Sequence, residues 1–349
     1  MKAVILAGGE GTRLRPLTLT LPKPVVPVVD RPFLSHQLDM LARAGVREVV
    51  FSVAYHPEKI RAAFGDGSPA QRIRYVVEES PLGTGGAVKN AESQLDDVTI
   101  VLNGDVLTDV DLSEVVRRHR EAGASATLVL TPVPNPSAYG LVETDAAGRI
   151  LRFTEKPRPD QITTDKINAG IYVLQTGTLQ LMPAGVNYSI ERGFFPSLLE
   201  RGDLVAAHVH RGYWIDIGTR EKYLQVHRDV LQRRFPVELR GRAARGGWIA
   251  EGAQVDVEAL LEGPFFVGPG CRVEAGATVG PDTSLAASVR LAAGCRVAGS
   301  VLWPGVEVAE GASVEAALLG RDVRVGRHAE VAPGAALGEG SRVSDHSRA

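Results

Sequence analysis

The segment AVILAGGEGTRLRP (residues 3–16) joins a short apolar run to a glycine-rich loop. The run Ala3–Ala7 predicts a buried β-strand, and the loop after such a strand is where open α/β sheets bind ligands. Because Gly8, Gly9 and Gly11 lack a Cβ, backbone N–H groups of this loop can approach an anion closely. The spacing is neither the dinucleotide GxGxxG pattern nor a Walker loop ending in GK[ST]. A plain glycine turn is the alternative interpretation.

Two cations near this loop favour a phosphate ligand. Arg13 lies within the loop, and Lys23 follows in the short segment PKP. Cations held beside a nucleoside triphosphate stabilise the charge that grows on the α-phosphate during transfer. The sequence therefore predicts nucleotide chemistry at the loop.

Strand and helix patterns alternate in the first part of the chain. Amphipathic patterns predict helices at Phe33–Ala44 and Asp111–Glu121, and a closing helix at Arg220–Arg233. Alternation of this kind indicates βαβ units and a mostly parallel sheet, with antiparallel strands added after residue 125. The predicted strands beyond the first are Glu48–Ala54, Arg74–Val77, Thr99–Leu102, Thr127–Thr131, Tyr139–Glu143, Arg149–Thr154 and Lys166–Leu174.

A hexad repeat follows. An apolar residue recurs every six positions, with two steps of five, and glycine often comes next. This period is typical of a parallel β-helix, in which each hexad forms one side of a coil and the apolar residue points inward. The repeat positions are Ile249, Val255, Leu261, Val267, Val273, Val279, Leu285, Leu291, Val297, Leu302, Val308, Val314, Leu319, Val325, Val331, Leu337 and Val343.

These patterns predict three regions: an α/β domain at 1–235, a Gly/Arg-rich linker at 236–247 and a β-helix domain at 248–349. The formal net charge of -2 offers no broad basic surface, so nucleic acid is not an expected partner. The N-terminal apolar run is too short for a signal peptide or a membrane span. Two cysteines without metal-site spacing fit a reduced, cytoplasmic setting.

Polar residues follow several of the predicted strands. Asp105 and Asp216 supply carboxylates of the kind that Mg²⁺ uses, so they are predicted metal ligands, with turn or cap residues as the alternative. Lys156 offers a point charge for a second phosphate, or it lies in a surface turn. Asn168 offers an amide for sugar hydroxyls, or it marks a strand bulge. Because no GxSxG elbow occurs, direct displacement is favoured over a covalent intermediate.

The motifs together resemble a known superfamily. LAGGEGTRLRPLT with PKP, then LNGD, FTEKP, INAG and WIDIG, occur in the order found in sugar-nucleotide pyrophosphorylases. The resemblance covers about residues 1–235, and the hexads are similar to the left-handed β-helix that often follows. It implies the α/β class: a Rossmann-like, mixed and mostly parallel sheet forming a nucleotidyltransferase domain, then a left-handed parallel β-helix of hexapeptide repeats.

Within this superfamily the chain is most similar to the mannose-1-phosphate guanylyltransferases. The similarity lies in ESPLGTGG (79–86), KINAGIYVL (166–174), the SIE and FP segments (189–196) and GYWIDIG (212–218). Two positions depart from the group. GTGG replaces GTAG, and Gly104 stands where animal-type sequences tend to carry Ser, which leaves the choice of base and sugar open.

The resemblance implies a role for each matching residue. Arg13 and Lys23 would be catalytic, and Asp105 and Asp216 would hold Mg²⁺. Nucleotide binding would fall to Leu6, Ala7, Gly8, Gly9, Gly11, Thr12, Glu78, Gly83, Thr84, Asn103 and Gly104. The sugar phosphate would be bound by Tyr139, Gly140, Glu155, Lys156 and Asn168.

The expected reaction joins a sugar 1-phosphate, mannose 1-phosphate first, to an NTP, GTP first, with release of pyrophosphate. Thymidylyl or uridylyl transfer to glucose 1-phosphate is the alternative, and transfer to another sugar-like 1-phosphate is a further one. A non-catalytic subunit that binds sugar nucleotide ranks lower, because the cations and carboxylates are all present.

The β-helix leaves its own alternatives. Some relatives use such a domain as an acyltransferase with a catalytic His, and His328 is the single His within the coils proper. The surroundings expected of an acyl-CoA site are missing, so self-association through flat faces is favoured. A homo-oligomer formed through the β-helix is therefore expected.

Overall fold

The computed structural model describes residues 1–155 and 157–349. By their internal contacts these residues form two compact units. The first contains Met1–Gly9 and Leu34–Trp214, and the second contains Glu10–Phe33 and Ile215–Ala349. These units group residues by their contacts and do not test whether a segment folds independently. The boundaries 1–235, 236–247 and 248–349 therefore stay predictions.

The first unit is built on a mixed sheet whose central strand is Lys2–Leu6. This strand pairs in parallel with Val98–Asn103 on one side and Glu48–Val53 on the other. The sheet order is Ile150–Glu155, Gly140–Thr144, Lys166–Gln175, Val98–Asn103, Lys2–Leu6, Glu48–Val53, Gln71–Val77 and Gly67–Ser68. Ala126–Pro132 also pairs with Lys166–Gln175, and Val205–Val209 pairs with Ala126–Pro132.

The predicted change from parallel to antiparallel strands after residue 125 is confirmed. Lys166–Gln175 runs antiparallel to both Val98–Asn103 and Ala126–Pro132. One added strand, Val205–Val209, pairs in parallel and was not predicted. Two further short strands of the chain are Val106–Thr108 and Trp214–Asp216.

The helices begin and end where local chemistry requires. The Asp111 carboxylate accepts hydrogen bonds from the backbone N–H groups of Ser113 and Glu114, which caps the helix Leu112–Ala122. Gly45 follows the helix Phe33–Arg43 and has a φ of 77°, the left-handed conformation that commonly ends a helix. The other helices of this unit are Pro57–Phe64, Gly83–Asn90, Phe195–Glu200, the π-helix Ile190–Phe194, and short 3₁₀ turns at Glu92–Gln94, Pro136–Ala138, Pro159–Gln161 and Thr176–Leu181.

The hexads of the second unit form a parallel β-helix, as predicted and in agreement with the left-handed type. Every repeat residue from Ile249 to Val343 lies in a strand. The three sheets are Gly247–Ile249, Phe265–Val267, Thr283–Leu285, Val301–Leu302, Leu318–Leu319 and Ala336–Leu337; Gln254–Val255, Arg272–Val273, Arg290–Leu291, Glu307–Val308, Arg324–Val325 and Arg342–Val343; and Leu260–Leu261, Thr278–Val279, Arg296–Ala298, Ser313–Glu315 and Glu330–Val331.

The two five-residue steps leave the stacking intact. Leu285, Leu302, Leu319 and Leu337 pair in succession along one sheet. The shortened coils therefore keep their apolar residues in one column of the core.

The second unit also contains the loop after the central strand. This loop forms 3₁₀ turns at Thr12–Leu14 and Lys23–Val25, and a hairpin of Pro27–Val28 with Arg31–Pro32. The helix Arg220–Leu231, capped by the Thr219 side chain, belongs to the same unit. Within the segment predicted as a linker, Arg242–Ala244 pairs antiparallel with Gly247–Ile249.

Both cysteines are buried in the β-helix core. Burial raises the pKa of the Cys271 thiol to about 11 and that of the Cys295 thiol to about 12. The Cys271 Sγ donates to the Ala286 carbonyl at 2.9 Å. Reactivity requires the thiolate, so these thiols are protected both by burial and by their high pKa.

We expect neither thiol to react with Ellman's reagent at pH 8 while the protein is folded. In guanidinium chloride both should react, since the unfolded thiol has a pKa of about 8.5. Absorbance at 412 nm measures both states. Fast labelling of the native protein would contradict the buried placement.

Candidate functional site

The end of the central strand depends on close backbone packing. A Cβ at Gly8 would lie 3.2 Å from the Glu78 Oε1 and 3.3 Å from the Ala54 Cβ, whereas Gly9 faces open space. The Ala7 N–H donates to the Ser52 carbonyl at 2.8 Å, which continues the pairing started at Leu6. The backbone is therefore tightly packed at Gly8, where it leaves the sheet, and it is exposed to solvent at Gly9.

Glu78 is fixed beside this strand end. Its Oε1 accepts from the Ser52 hydroxyl at 3.0 Å, and its Oε2 accepts from the Leu82 N–H at 3.0 Å. The neighbouring Glu79 is exposed. Of the two glutamates, Glu78 is thus the one placed next to Gly8.

Gly83 and Thr84 are held by the segment around Tyr188. Gly83 has a φ of 69°, and a Cβ there would lie 2.9 Å from the Tyr188 carbonyl oxygen. The Thr84 hydroxyl donates to the Glu191 Oε2 at 2.7 Å and accepts from the Ile190 N–H at 3.0 Å. The hydroxyl group of Thr84 is therefore already engaged in two hydrogen bonds within the protein.

The GTGG departure has a physical reason. A Cβ at Gly85, where GTAG carries Ala, would lie 2.9 Å from the Tyr188 Cδ1. The Gly85 and Gly86 N–H groups both donate to the Tyr188 carbonyl, at 2.8 and 3.1 Å. The tyrosine thus occupies the space that an alanine methyl group would need.

Gly104 is similarly constrained. A Cβ at this position would lie 2.5 Å from the Leu6 carbonyl oxygen, which accepts from the Gly104 N–H at 3.0 Å. Gln37 ties the turn by donating to the carbonyls of Asn103 and Val106, at 2.8 and 2.7 Å. This turn sets the backbone position of Asp105, a half-buried residue.

Asn103 and Asn168 are brought to neighbouring positions. A Cβ at Gly170 would lie 2.7 Å from the Asn103 Nδ2, and the Gly170 N–H donates to the Asn168 Oδ1 at 3.1 Å. The strand register shifts between Asn168 and Tyr172, so the bulge considered from the sequence is present. The Asn103 Oδ1 is buried and has no hydrogen-bond partner among the described residues.

A buried network continues from Asn168. Its Nδ2 donates to the Tyr172 hydroxyl at 2.8 Å, and that hydroxyl donates to the Glu191 Oε1 at 3.2 Å. Burial and the Glu191 carboxylate together raise the pKa of Tyr172 well above its ordinary value. Tyr172 is therefore a fixed neutral donor.

Aromatic rings flank the same strand. The Tyr139 and Trp214 rings meet edge to face at 5.6 Å, and the Trp214 Nε1 donates to the Ala169 carbonyl at 3.0 Å. Gly140 pairs with Glu155, and a Cβ at Gly140 would lie 2.7 Å from the Glu155 Oε2. Tyr139 is thus near the Asn168 segment, whereas the predicted phosphate ligand Lys156 lies outside the described residues.

In the second unit, Gly11 and Lys23 lie side by side. Gly11 has a φ of 65° and precedes the turn Thr12–Leu14. A Cβ at Gly11 would lie 3.1 Å from the Lys23 Cβ, and the Thr18 hydroxyl donates to the Gly11 carbonyl at 2.7 Å. Lys23 is only 8% exposed. The buried position fixes the start of its side chain.

Arg13 and Asp216 meet at a glycine of the same unit. A Cβ at Gly218 would lie 2.6 Å from the Asp216 Oδ2 and 3.0 Å from the Arg13 Nη2. The Lys222 ammonium donates to the Asp216 Oδ1 in a short ion pair. Asp216 is thus a carboxylate between two cations.

Members of this fold family generally use a divalent metal ion, and the available oxygens suit one. Among the described residues, no three His, Cys, Asp or Glu side chains gather into a metal cluster. Mg²⁺ needs only one or two protein carboxylates, since waters and substrate phosphates complete its shell. Asp105 in the first unit and Asp216 in the second are each a carboxylate of this kind. The Asn103 Oδ1, which has no hydrogen-bond partner among the described residues, is a further hard donor in the first unit.

Three residues in this region were not assigned from the sequence. Glu191 accepts from the hydroxyls of Thr84, Tyr172 and Ser189. Trp214 packs on Tyr139, and Lys222 holds Asp216. Glu191 and Trp214 lie in the SIE and WIDIG motifs, so the signal for both was available. Lys222 follows these motifs and carries no such signal.

A glycine loop that follows a central parallel strand, and that carries Arg13 and Lys23, is typical of nucleotide-handling α/β transferases. The sequence profile described as nucleotidyl transferase matches residues 2–233, and the one described as GMPPB C-terminal domain matches residues 261–348. The chain belongs to the nucleotidyl transferase family.

Curated relatives extend the similarity to nearly the whole chain. "Mannose-1-phosphate guanylyltransferase" of Mycobacterium tuberculosis is 41% identical over 90% of this chain and 82% of its own length. "Mannose-1-phosphate guanylyltransferase 1" of Arabidopsis thaliana is 33% identical, covering 99% and 93%. "UTP--glucose-1-phosphate uridylyltransferase" of Synechocystis is 34% identical, covering 89% and 85%.

A solved structure resembles about two thirds of the chain. HddC from Yersinia pseudotuberculosis, complexed with GMP-PN, superimposes with a TM-score of 0.56 and 30% identity. The match covers 64% of this chain and 97% of that one. Within residues 1–155 and 157–349, no helix is both long and apolar enough to cross a bilayer.

Thr84→Val should lower the free energy of unfolding by about 1–3 kcal/mol, because the Ile190 N–H loses its acceptor and Glu191 loses a donor. Thr84→Ser keeps the hydroxyl and is the control, with a smaller loss. Guanidinium unfolding followed by circular dichroism measures both variants. Wild-type stability of Thr84→Val would show that these two bonds contribute nothing.

Proposed function

We propose that this protein is a sugar-1-phosphate nucleotidyltransferase that makes GDP-mannose and pyrophosphate from mannose 1-phosphate and GTP. The observation that carries the chemistry is the glycine loop with the buried Lys23 packed against Gly11. The identity of 41% to a mannose-1-phosphate guanylyltransferase over 90% of the chain supports this choice of substrates.

Nucleotide binding is assigned to the strand end and the loop. The backbone groups of Gly8, Gly9, Gly11 and Thr12 bind the phosphates, since a loop free of Cβ atoms lets N–H groups reach an anion. The other residues assigned to the nucleotide are Leu6, Ala7, Glu78, Gly83, Thr84, Asn103 and Gly104. For Thr84 we assign the backbone, because its hydroxyl already serves Glu191 and Ile190.

The sugar phosphate is assigned to the strand that carries Asn168. The Asn168 amide keeps a donor hydrogen and a lone pair beyond its bonds to Tyr172 and Gly170. Tyr139 supplies an aromatic surface, and Glu155 supplies acceptors for hydroxyl groups. Gly140 and Lys156 complete the proposed set, with Lys156 assigned from the sequence alone.

The reaction proceeds by direct displacement. A phosphate oxygen of the sugar 1-phosphate attacks the α-phosphorus of GTP in line, the bond from that phosphorus to the bridging oxygen breaks, and pyrophosphate leaves with the electron pair. Arg13 and Lys23 stabilise the charge on the transferring and leaving groups. Positioning of the two substrates supplies much of the remaining rate.

We assign the divalent ion as Mg²⁺, held by Asp105 and Asp216. When bound, this ion would neutralise phosphate charge and make the α-phosphorus more electrophilic. The Lys222 ammonium donates to the Asp216 Oδ1 and so orients this carboxylate.

Uridylyl transfer to glucose 1-phosphate is the second candidate. It is favoured by the Synechocystis relative, which is 34% identical over 89% of the chain. The glycine loop contacts phosphates that every NTP shares, so it does not separate the two candidates.

We also propose a cytoplasmic homo-oligomer that associates through the β-helix. Val257 is 87% exposed and Leu260 is 57% exposed, and Leu260 lies on the first strand of its sheet. Large exposed apolar side chains on an uncovered sheet edge favour association. The two buried free thiols fit a reducing compartment.

Lys23→Ala and Asp105→Ala should each lower kcat by about a hundredfold or more, the usual scale for losing one electrostatic contact in the transition state. A coupled pyrophosphate-release assay measures the rate. Lys59→Ala and Asp160→Ala are matched controls outside the proposed site and should retain activity. Near-normal release from either site variant would refute its assignment.

Among GTP, UTP, dTTP and ATP, each tested with mannose 1-phosphate and glucose 1-phosphate, we expect the highest kcat/KM for GTP with mannose 1-phosphate. Pyrophosphate release from every pair provides the comparison. A preference for UTP or dTTP with glucose 1-phosphate would support the second candidate instead. No release from any pair would reject the proposed reaction type.

A further inference from the structure

A buried chain of hydrogen bonds joins the β-helix to the loop that carries Lys23. The Trp303 indole N–H donates to the Tyr223 hydroxyl at 3.0 Å, and this hydroxyl donates to the Pro27 carbonyl in a short bond. Trp303 is 3% exposed and Tyr223 is fully buried. Because both donors lie away from water, each bond contributes more than it would at the surface.

Tyr223 lies on the helix Arg220–Leu231, and a second side chain of this helix, His227, also bonds to the Pro27 carbonyl. The Val29 N–H donates to the His227 Nδ1 at 3.4 Å, so the His227 Nε2 carries the proton and donates to the Pro27 carbonyl at 3.2 Å. Val29 has a φ of 55°, which is rare for a β-branched residue. The surrounding contacts must therefore hold this backbone in place.

These contacts lie a few residues from the proposed catalytic lysine. The turn Lys23–Val25 runs directly into the hairpin that begins at Pro27. The Val26 N–H donates to the Lys23 carbonyl at 3.2 Å, and the Phe33 N–H donates to the Val26 carbonyl at 2.9 Å. A shift of the hairpin would thus be transmitted to the Lys23 backbone.

The last coil of the β-helix contacts the same loop nearer its start. The Thr20 hydroxyl donates to the Glu339 carboxylate in a short bond. A Cβ at Gly338 would lie 3.1 Å from the Pro16 Cβ. Pro16 is three residues beyond Arg13. The β-helix therefore contacts the loop directly through its last coil, and it reaches Pro27 indirectly through Tyr223.

The contact pattern of the whole chain agrees with these individual contacts. Glu10–Phe33, the segment with Arg13 and Lys23, groups with Ile215–Ala349. That group contains the β-helix, although the same segment follows the central strand directly in sequence.

We propose that the β-helix positions the catalytic loop, with Trp303, Tyr223 and Gly338 as positioning residues that act through Pro27 and Pro16. This inference rests on the proposed function of Arg13 and Lys23. None of the three residues touches substrate in this proposal. A displaced cation weakens transition-state stabilisation more than ground-state binding, so the loss falls mainly on kcat.

The first experiment uses Tyr223→Phe, Trp303→Phe and the double variant. Tyr223→Phe removes a donor to Pro27 and should lower kcat by about tenfold, with KM changed by less than about twofold. Trp303→Phe leaves the Tyr223–Pro27 bond and should lower kcat by about threefold. In the double variant kcat should equal that of Tyr223→Phe, since the indole can act only through the missing hydroxyl.

Thermal unfolding separates positioning from a general structural role. Tyr223→Phe leaves the buried Trp303 N–H without an acceptor, and the double variant removes that orphan donor. The decrease in the unfolding midpoint of the double variant should therefore be smaller than the sum of the decreases in the two single variants. If kcat followed the unfolding midpoint across the three variants instead, the positioning role would be wrong.

Gly338→Ala tests the second contact without removing any group, so it remains decisive if an aromatic variant fails to fold. The added methyl group should push Pro16 and lower kcat by about threefold at an unchanged unfolding midpoint. Gly177→Ala, where a Cβ would meet nothing within 4 Å, is the matched control and should behave as wild type. Wild-type kcat for Gly338→Ala would overturn the contact with Pro16 as a positioning device.

Hydrogen exchange distinguishes failure of this inference from failure of the proposed function. Amides of residues 23–33 should lose protection in Tyr223→Phe whether or not the protein transfers nucleotides. An inactive wild-type protein would reject the proposed function alone. An active wild-type protein with unchanged exchange and unchanged kcat in Tyr223→Phe would reject the positioning role alone.

Discussion

The candidate site depends on backbone packing at the end of the strand Lys2–Leu6, where a Cβ would clash at Gly104 and would be tightly packed at Gly8. A Cβ at Gly104 would lie 2.5 Å from the Leu6 carbonyl, and a Cβ at Gly8 would meet Glu78 at 3.2 Å. The strand is central, and its last residue, Leu6, pairs with a neighbouring strand on both sides. The turn before Asp105 and the start of the glycine loop are therefore fixed by the same steric limit.

The fold was largely predictable because its signals are local. The hexad period survives two five-residue steps, and each repeat residue contributes to a strand of the β-helix. The strand before the glycine loop and the helix after Asp111 follow from apolar runs and a cap. The parallel strand Val205–Val209 was missed, because its pairing with Ala126–Pro132 joins residues far apart in sequence. Local periodicity carries no information about such pairs.

The roles within the site were harder to predict for the same reason. The resemblance implied ligand contacts for Thr84 and Asn168, and their side chains bond to Glu191 and Tyr172. The Thr84–Glu191 bond spans 107 positions in the chain. The Trp303–Tyr223 bond spans 80 positions in the chain and the Tyr223–Pro27 bond spans 196, and neither bond lies within a motif. A motif identifies chemistry, whereas the structure decides whether that chemistry is already in use.

The packing of Tyr188 on Gly85 limits which segments can be exchanged between members of this family. The ring fills the volume that an alanine at position 85 would occupy, and it also lies against Gly193. A chimaera that imports the segment GTAG from a relative would therefore have to import the facing segment around residue 188 as well. The heritable unit around Gly85 is thus a pair of segments distant in sequence, and recombination at any point between them would separate two halves of one interlocking surface.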